Sequence, residues 1–165
     1  MVLNAPDEFS FRFYSYQTLC LTGVKSNLQI ENPSCVAYDL IFGCPGWLEA
    51  MIQANAFIKA GIAKKCLVIG AETLSRVTDP HDRDSMIYSD GAGATIIEHT
   101  NDTDGIISHA TATHAIEEAN YIYFGYSNNL EDQNPRKYIK MNGRKIYNFA
   151  LTNVPKAMKS CLEDS

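Results

Sequence analysis

Cys44 lies between an apolar run and a proline-glycine turn, in Phe42-Gly43-Cys44-Pro45-Gly46-Trp47, and is the residue of this chain best placed for nucleophilic chemistry. A thiol where a buried strand meets the first turn of a helix faces unpaired backbone N–H groups and the partial positive charge of the helix start, which together stabilise a thiolate. Those N–H groups can also hold the oxyanion that develops when sulfur attacks a carbonyl. Gly43 and Gly46 leave room for a substrate to approach. On local pattern alone two readings stand: a nucleophile, or one more small hydrophobe at a tight turn. The remaining cysteines (Cys20, Cys35, Cys66, Cys161) sit mostly among apolar residues. With an odd total of five and no C-x-x-C spacing, neither a disulfide framework nor a zinc ribbon is indicated.

Other candidate motifs fit less well. The α/β-hydrolase elbow requires glycine two places before and two places after its nucleophile; Gly46 satisfies one position and Phe42 fails the other. Asp90-Gly91-Ala92-Gly93 has the look of a dinucleotide loop, but Ile96 holds the third glycine position and β-branched residues follow, so small residues within a strand are the better account. His81, His99, His109 and His114 are spaced by 18, 10 and 5 positions and form no helical metal pair, so each reads as a surface histidine and no metal site is expected. Arg136, Lys137, Lys140, Arg144 and Lys145 gather five cations within ten positions, a solvated face or a means of steering an acidic partner.

Several elements must position these residues. The apolar stretch 35–42, bounded by turn residues, reads as a buried strand ahead of Cys44. Over residues 47–60 the apolar side chains occupy nearly every face of a helical wheel, the pattern of a helix buried all round. Gly61 closes it, and residues 66–70 read as a second buried strand. Strand, helix and strand in about 35 residues make a right-handed crossover unit with a parallel sheet. Residues 72–84 are polar and turn-rich, while 85–88 and 94–98 are strand-like, and 105–111 is a further β-branched stretch. Residues 145–163 have helical spacing, with a kink or restart expected at Pro155. The first thirty residues are ambiguous between a strand, from the alternation of Phe9, Phe11 and Phe13, and a helix over 10–22, which is the preferred reading.

Composition sets the outer limits. The 165 residues suit one domain or a piece of something larger, and 45% hydrophobic with 20% charged residues is the balance of a folded chain. A net charge of −5 argues against a nucleic-acid platform. No apolar run approaches the ~18 residues that cross a bilayer, and the first eight residues lack the character of a signal peptide, so a soluble cytoplasmic protein is expected.

The residues also carry a family resemblance. Ala37-Tyr38-Asp39-Leu40, Cys44-Pro45-Gly46-Trp47, Ala54-Asn55, Gly61, Leu67-Val68-Ile69-Gly70-Ala71-Glu72, Leu74-Ser75, Asp79-Pro80, Asp82-Arg83 and Ser89-Asp90-Gly91-Ala92-Gly93-Ala94 follow one another without a gap over residues 36–98. In order and spacing this series resembles β-ketoacyl-acyl-carrier-protein synthase III, a condensing enzyme of the thiolase fold. The likeness returns at Met141-Asn142-Gly143 and the helix after it, and Pro45 and Trp47 depart from the usual residues beside the nucleophile. The resemblance implies an α/β fold: a thiolase-like half-domain with a mixed, mostly parallel sheet and a buried central helix. Residues 1–165 would form a single partial domain, the N-terminal half of the enzyme. It implies that Cys44 accepts an acyl group from acyl-coenzyme A and that the acyl-cysteine then condenses with a decarboxylating malonyl-carrier protein in fatty acid synthesis. Arg83 matches the arginine that packs on the coenzyme A nucleotide, a task suited to a planar cation.

The resemblance calls for no cofactor and no metal. Its partners would be acyl-coenzyme A, acyl-carrier protein, and a second copy or a complementary C-terminal half. The histidine and asparagine that assist decarboxylation belong to segments of the family's second half without counterparts in this sequence, so full condensation by this chain alone is not expected. Two other readings are a non-catalytic half-domain acting as an oligomerisation or interaction module, and a cysteine-dependent thioester hydrolase.

Overall fold

The computed structural model describes residues 2–4, 11–13, 21–102, 105–133 and 135–165, with side chains from residue 23 onward. They fall into two compact units, one of residues 1–72 and 91–105, the other of 73–90 and 106–165.

The first unit is a mixed sheet with helices. In chain order it runs β1 (Val2–Asn4), β2 (Phe11–Phe13), α1 (Leu21–Asn27), β3 (Cys35–Ala37), β4 (Asp39–Leu40), α2 (Gly46–Lys59), β5 (Lys65–Thr73) and β6 (Asp90–Glu98). β5 is the central strand and pairs with β1, β2 and β6. β2 lies parallel to both β4 and β5, so β4, α2 and β5 form the expected parallel crossover with β2 inserted between its strands. β1 is antiparallel to β3 and β5, which makes the sheet mixed.

The core follows from side-chain size. Gly46, Ala50, Ala54 and Ile58 repeat every four residues and form the buried stripe of α2. Ala50, Ala54 and Ile58 pack with Cys66 and Val68 of β5, and Tyr38, Leu40, Met51, Phe57 and Ile97 complete the cluster. Two alanines in the stripe let the helix approach the sheet closely. The helix ends in a Schellman motif: Gly61 has φ +70°, its N–H donates to the Ile58 carbonyl, and the Ile62 N–H donates to the Phe57 carbonyl. α1 closes the same way with Gln29 in the left-handed position, φ 54°, and Ile30 N–H donating to the Lys25 carbonyl.

Several expectations need correction. The helix placed at 10–22 is instead strand β2 at Phe11–Phe13 and a helix from Leu21, while Phe9, Tyr16, Leu19 and Cys20 lie outside the described residues. The alternation of aromatic and polar residues there carries the period of a strand. The single strand expected over 35–42 is instead two, β3 paired with β1 and β4 paired with β2, interrupted at Tyr38; β4 stops at Leu40 and Ile41 is left 90% exposed. α2 is covered along one stripe rather than all round, and Leu48 is 59% exposed.

The second unit holds three short 3₁₀ turns, Leu74–Arg76, Arg83–Ile87 and Glu118–Asn120, followed by β7 (Ile122–Tyr126), β8 (Lys137–Met141) and α3 (Gly143–Glu163). Residues 85–88 are thus a turn and not the expected strand: Asp82 caps them by accepting the Asp84 N–H at 3.0 Å. β7 and β8 form an antiparallel ladder from Ile122–Met141 to Tyr126–Lys137. Asn142 is the N-cap of α3, its Oδ1 accepting the Lys145 N–H at 3.3 Å. α3 runs through Pro155 with no restart, although that proline lacks the N–H that would reach the Leu151 carbonyl.

Candidate active site

In the first unit, the β4–α2 connection fixes Cys44. Gly46 is the first residue of α2 and Pro45 its N-cap, so the thiol sits one residue ahead of the cap. The Gly46 N–H donates to the Gly43 carbonyl at 2.9 Å and the Glu49 N–H to the Pro45 carbonyl at 3.1 Å. Between them the Trp47 and Leu48 amides occupy the helix start, where intrahelical acceptors do not reach, and the proline cap offers no side-chain acceptor. Cys44 is exposed at this end of a 14-residue helix. The arrangement suits a sulfur nucleophile whose target oxygen settles on helix-start amides.

Gly70 anchors that helix start. A β-carbon added there would lie 3.3 Å from Trp47 Cδ1, so the indole packs directly on the bare backbone of β5. Trp47, Gly70 and residues 91–95 of β6 line an open concavity of about 430 Å³. Asp90-Gly91-Ala92-Gly93 is strand, with its small residues forming one wall of the concavity, and not a phosphate loop.

The other thiols contrast with Cys44. Cys35 and Cys66 are buried. Burial pushes the Cys66 thiol up to about 12, and its Sγ lies 3.9 Å from the Ala54 carbonyl. All four histidines are exposed, as expected. His99 is the histidine of the first unit, and its N–H donates to the Lys64 carbonyl, beyond the far end of α2 from Cys44. A helix of 14 residues spans about 21 Å, so His99 does not serve this thiol as a base.

In the second unit, Arg83 opens the 3₁₀ turn that follows its Asp82 cap. Its side chain is 93% exposed, with Nε 3.8 Å from Asp84 Oδ1. Beneath the turn lies a buried ionic cluster not foreseen from the sequence. Lys140 Nζ donates to Asp79 Oδ2 at 2.6 Å, Asp82 Oδ2 at 3.0 Å and Asn128 Oδ1 at 3.0 Å. Asp79 also accepts from Ser127 Oγ and from the His81 and Asn128 backbone N–H groups. Burial alone would raise Asp79, but the Lys140 ammonium and these N–H and O–H donors outweigh it and hold the carboxyl well below the usual range. Asp82 is lowered by Lys140 and by the Asp84 N–H. Burial would depress Lys140, yet the two aspartates leave it raised.

Lys140 therefore leaves the solvated cationic face assigned from the sequence, whereas Arg136, Lys137, Arg144 and Lys145 remain on the surface. Arg136, Lys137 and Lys145 lie over the rings of Tyr138, Tyr126 and Tyr121 at 5.9, 5.2 and 5.0 Å. No local run marks the cluster in the sequence, because Asp79 and Asp82 lie 61 and 58 positions from Lys140. The preceding turn, Leu74–Arg76, is anchored by Asp90, which accepts from Ser75 N–H at 2.8 Å and Ser75 Oγ at 2.6 Å.

The profile of the family described as 3-oxoacyl-[acyl-carrier-protein (ACP)] synthase III matches residues 38–115, a span that includes both Cys44 and Arg83. Over this span the chain is similar to the synthase III family. It is 34% identical over 144 residues to beta-ketoacyl-[acyl-carrier-protein] synthase III 2 of Halalkalibacterium halodurans, covering 85% of this chain and 42% of that protein. The corresponding enzyme of Porphyra umbilicalis is 36% identical over 157 residues, covering 87% of this chain and 47% of its own length. Among solved structures, the synthase III of Thermus thermophilus superposes with a TM-score of 0.78 at 27% identity, over 94% of this chain and 49% of that one. The fold is thus thiolase-like, and the chain spans less than half the length of the curated synthase III relatives it matches.

Proposed function

We propose that this chain carries the acyl-accepting half of a synthase III reaction, with Cys44 as the nucleophile. The observation that supports this reading is an exposed thiol at the open end of α2, inside the segment that matches the family. The Cys44 thiolate attacks the thioester carbonyl of acyl-coenzyme A, the developing oxyanion rests on the helix-start amides, and coenzyme A leaves as its thiol with the proton that Cys44 gave up. Exchange between two thioesters is nearly balanced in energy, so the acyl-enzyme persists for a second substrate. Arg83 holds the coenzyme A nucleotide by stacking and charge. Malonyl-carrier protein then condenses with the acyl-cysteine in fatty acid synthesis, using the histidine and asparagine of the family's second half. No cofactor enters this scheme, and the setting is cytoplasmic.

Intact-mass measurement after incubation with acetyl-coenzyme A tests the first step. One acetyl group is expected on the native chain and none on Cys44→Ala. Acetylation that survives this substitution would remove Cys44 from the role. A second reading, an interaction module without catalysis, draws on Ile41, Phe42 and Leu48, which are exposed beside the same thiol.

A further inference from the structure

The Lys140 cluster bears on what Arg83 can bind. Arg83 is flanked in sequence by Asp82 and Asp84, and Asp79 caps the turn just before it through the His81 N–H. Three carboxylates within four residues of one guanidinium would ordinarily claim it. Two of them are instead held from below: Lys140 Nζ binds both Asp79 Oδ2 and Asp82 Oδ2, and it is buried to 6% exposure while doing so. Asn128 orients the ammonium through Oδ1 and donates its backbone N–H to the same Asp79 Oδ2, while Ser127 Oγ and the His81 N–H hold Asp79 Oδ1. Only Asp84 approaches Arg83, and loosely, at 3.8 Å. The guanidinium therefore stands in solvent with its planar face and N–H fork available.

We propose that Lys140 is a positioning residue for Arg83, sequestering Asp79 and Asp82 so that the guanidinium stays open to the phosphates and base of a nucleotide-bearing thioester. The inference rests on the reading of Arg83 as a coenzyme A contact. Lys140 reaches this place from β8, where Gly125 of the paired strand β7 makes room: a β-carbon at Gly125 would lie 3.0 Å from Lys140 Cγ and 2.9 Å from Tyr123 Cε2. Arg83 itself is fixed at the start of its turn by the Asp82 cap, so the same aspartate that Lys140 holds also sets the backbone from which the guanidinium projects.

The test measures the dissociation constant of coenzyme A and the rate of Cys44 acylation by acetyl-pantetheine, which lacks the nucleotide, on the full chain. Lys140→Met should weaken coenzyme A binding by about two- to fivefold, the scale of one exposed ion pair competing for Arg83, and leave acetyl-pantetheine acylation unchanged. Adding Asp82→Asn to Lys140→Met should restore much of the affinity by removing the competitor adjacent to Arg83, since Asp79 keeps its Ser127, His81 and Asn128 donors. In an Arg83→Ala background, Lys140→Met should have no further effect. Gly125→Ala, which crowds Lys140 without altering charge, should act in the same direction and supplies the perturbation if Lys140→Met does not fold. A loss of affinity that persists in the Arg83→Ala background, or equal losses with both thioesters, would overturn the proposal. If Arg83→Ala alone leaves coenzyme A binding intact, the reading of Arg83 falls and takes this inference with it.

Discussion

Thiols of the same type differ here by their surroundings, and this difference is measurable. Cys44 is exposed at a helix start, while Cys35 and Cys66 are 2% and 0% exposed, and burial holds Cys66 up to about 12. A limiting amount of iodoacetamide, followed by peptide mass mapping, should label Cys44 first and leave Cys35 and Cys66 unmodified until the chain is unfolded. The ionic cluster predicts a pH response. Asp79 and Asp82 are lowered by Lys140 and by N–H donors, so their stabilisation is complete above the unfolded carboxyl value of about 4 and is lost as pH falls through their folded values. Lys140 is raised, so its share is complete below about 10.4 and is lost only in stronger alkali. Lys140→Ala strands two carboxylates and should cost about 3 kcal/mol near pH 7, with the difference from native shrinking at pH 3, as urea unfolding at the two pH values would show. Of the residues in these arguments, Cys44 was legible from its turn and its neighbours. Lys140 was not, because a run of cations reads the same whether one member turns inward or all face water; the deciding aspartates lie about 60 positions away.

At the scale of elements, the start of α2 depends on close packing against β5. Trp47 lies on Gly70 so closely that alanine there would sit 3.3 Å from its ring. Gly70→Val should therefore displace the helix start and slow Cys44 acylation severalfold, with near-native circular dichroism, whereas Leu67→Val on the same strand should leave the rate unchanged. Ala54→Leu adds bulk where α2 meets β5 and should destabilise by about 1–3 kcal/mol in urea unfolding. Elements with a clear period and a closing signal were legible: α2 ends at the glycine that marks it, and β5 is a β-branched run that extends three residues past its expected end into Thr73. Elements whose existence depends on a partner were not. Ser85-Met86-Ile87-Tyr88 has the composition of a strand, yet Asp82 caps it into a turn. β7 lay in a polar, tyrosine-rich region, and its strand character comes from the five-residue ladder it makes with β8.

For the whole molecule, the apolar pattern of α2 and its actual cover disagree in an informative way. The sequence calls for a helix surrounded by apolar contacts, and the fold supplies one stripe, Gly46, Ala50, Ala54 and Ile58. Leu48 at 59% and Ile41 at 90% exposure face away from that stripe or lead into the helix, and α3 separately exposes Leu151, Val154, Met158 and Leu162 at spacings of three and four. Contiguous apolar faces of this kind are uncommon on independent soluble domains and mark surfaces that another layer covers. Under the proposed function the covering layer is a second copy or a complementary half. Size-exclusion chromatography with light scattering should then give a mass above that of one chain, and Leu48→Gln should shift it toward the monomer while leaving the helix content unchanged, because that side chain contributes little to the buried stripe. A stable monomer with no apolar-dye binding would show that the chain covers these faces itself. The outcome also bears on chemistry: a second layer over the Cys44 end of α2 would exclude water from the acyl-cysteine, so association should lengthen the lifetime of the acetylated chain, and dilution below the association range should shorten it.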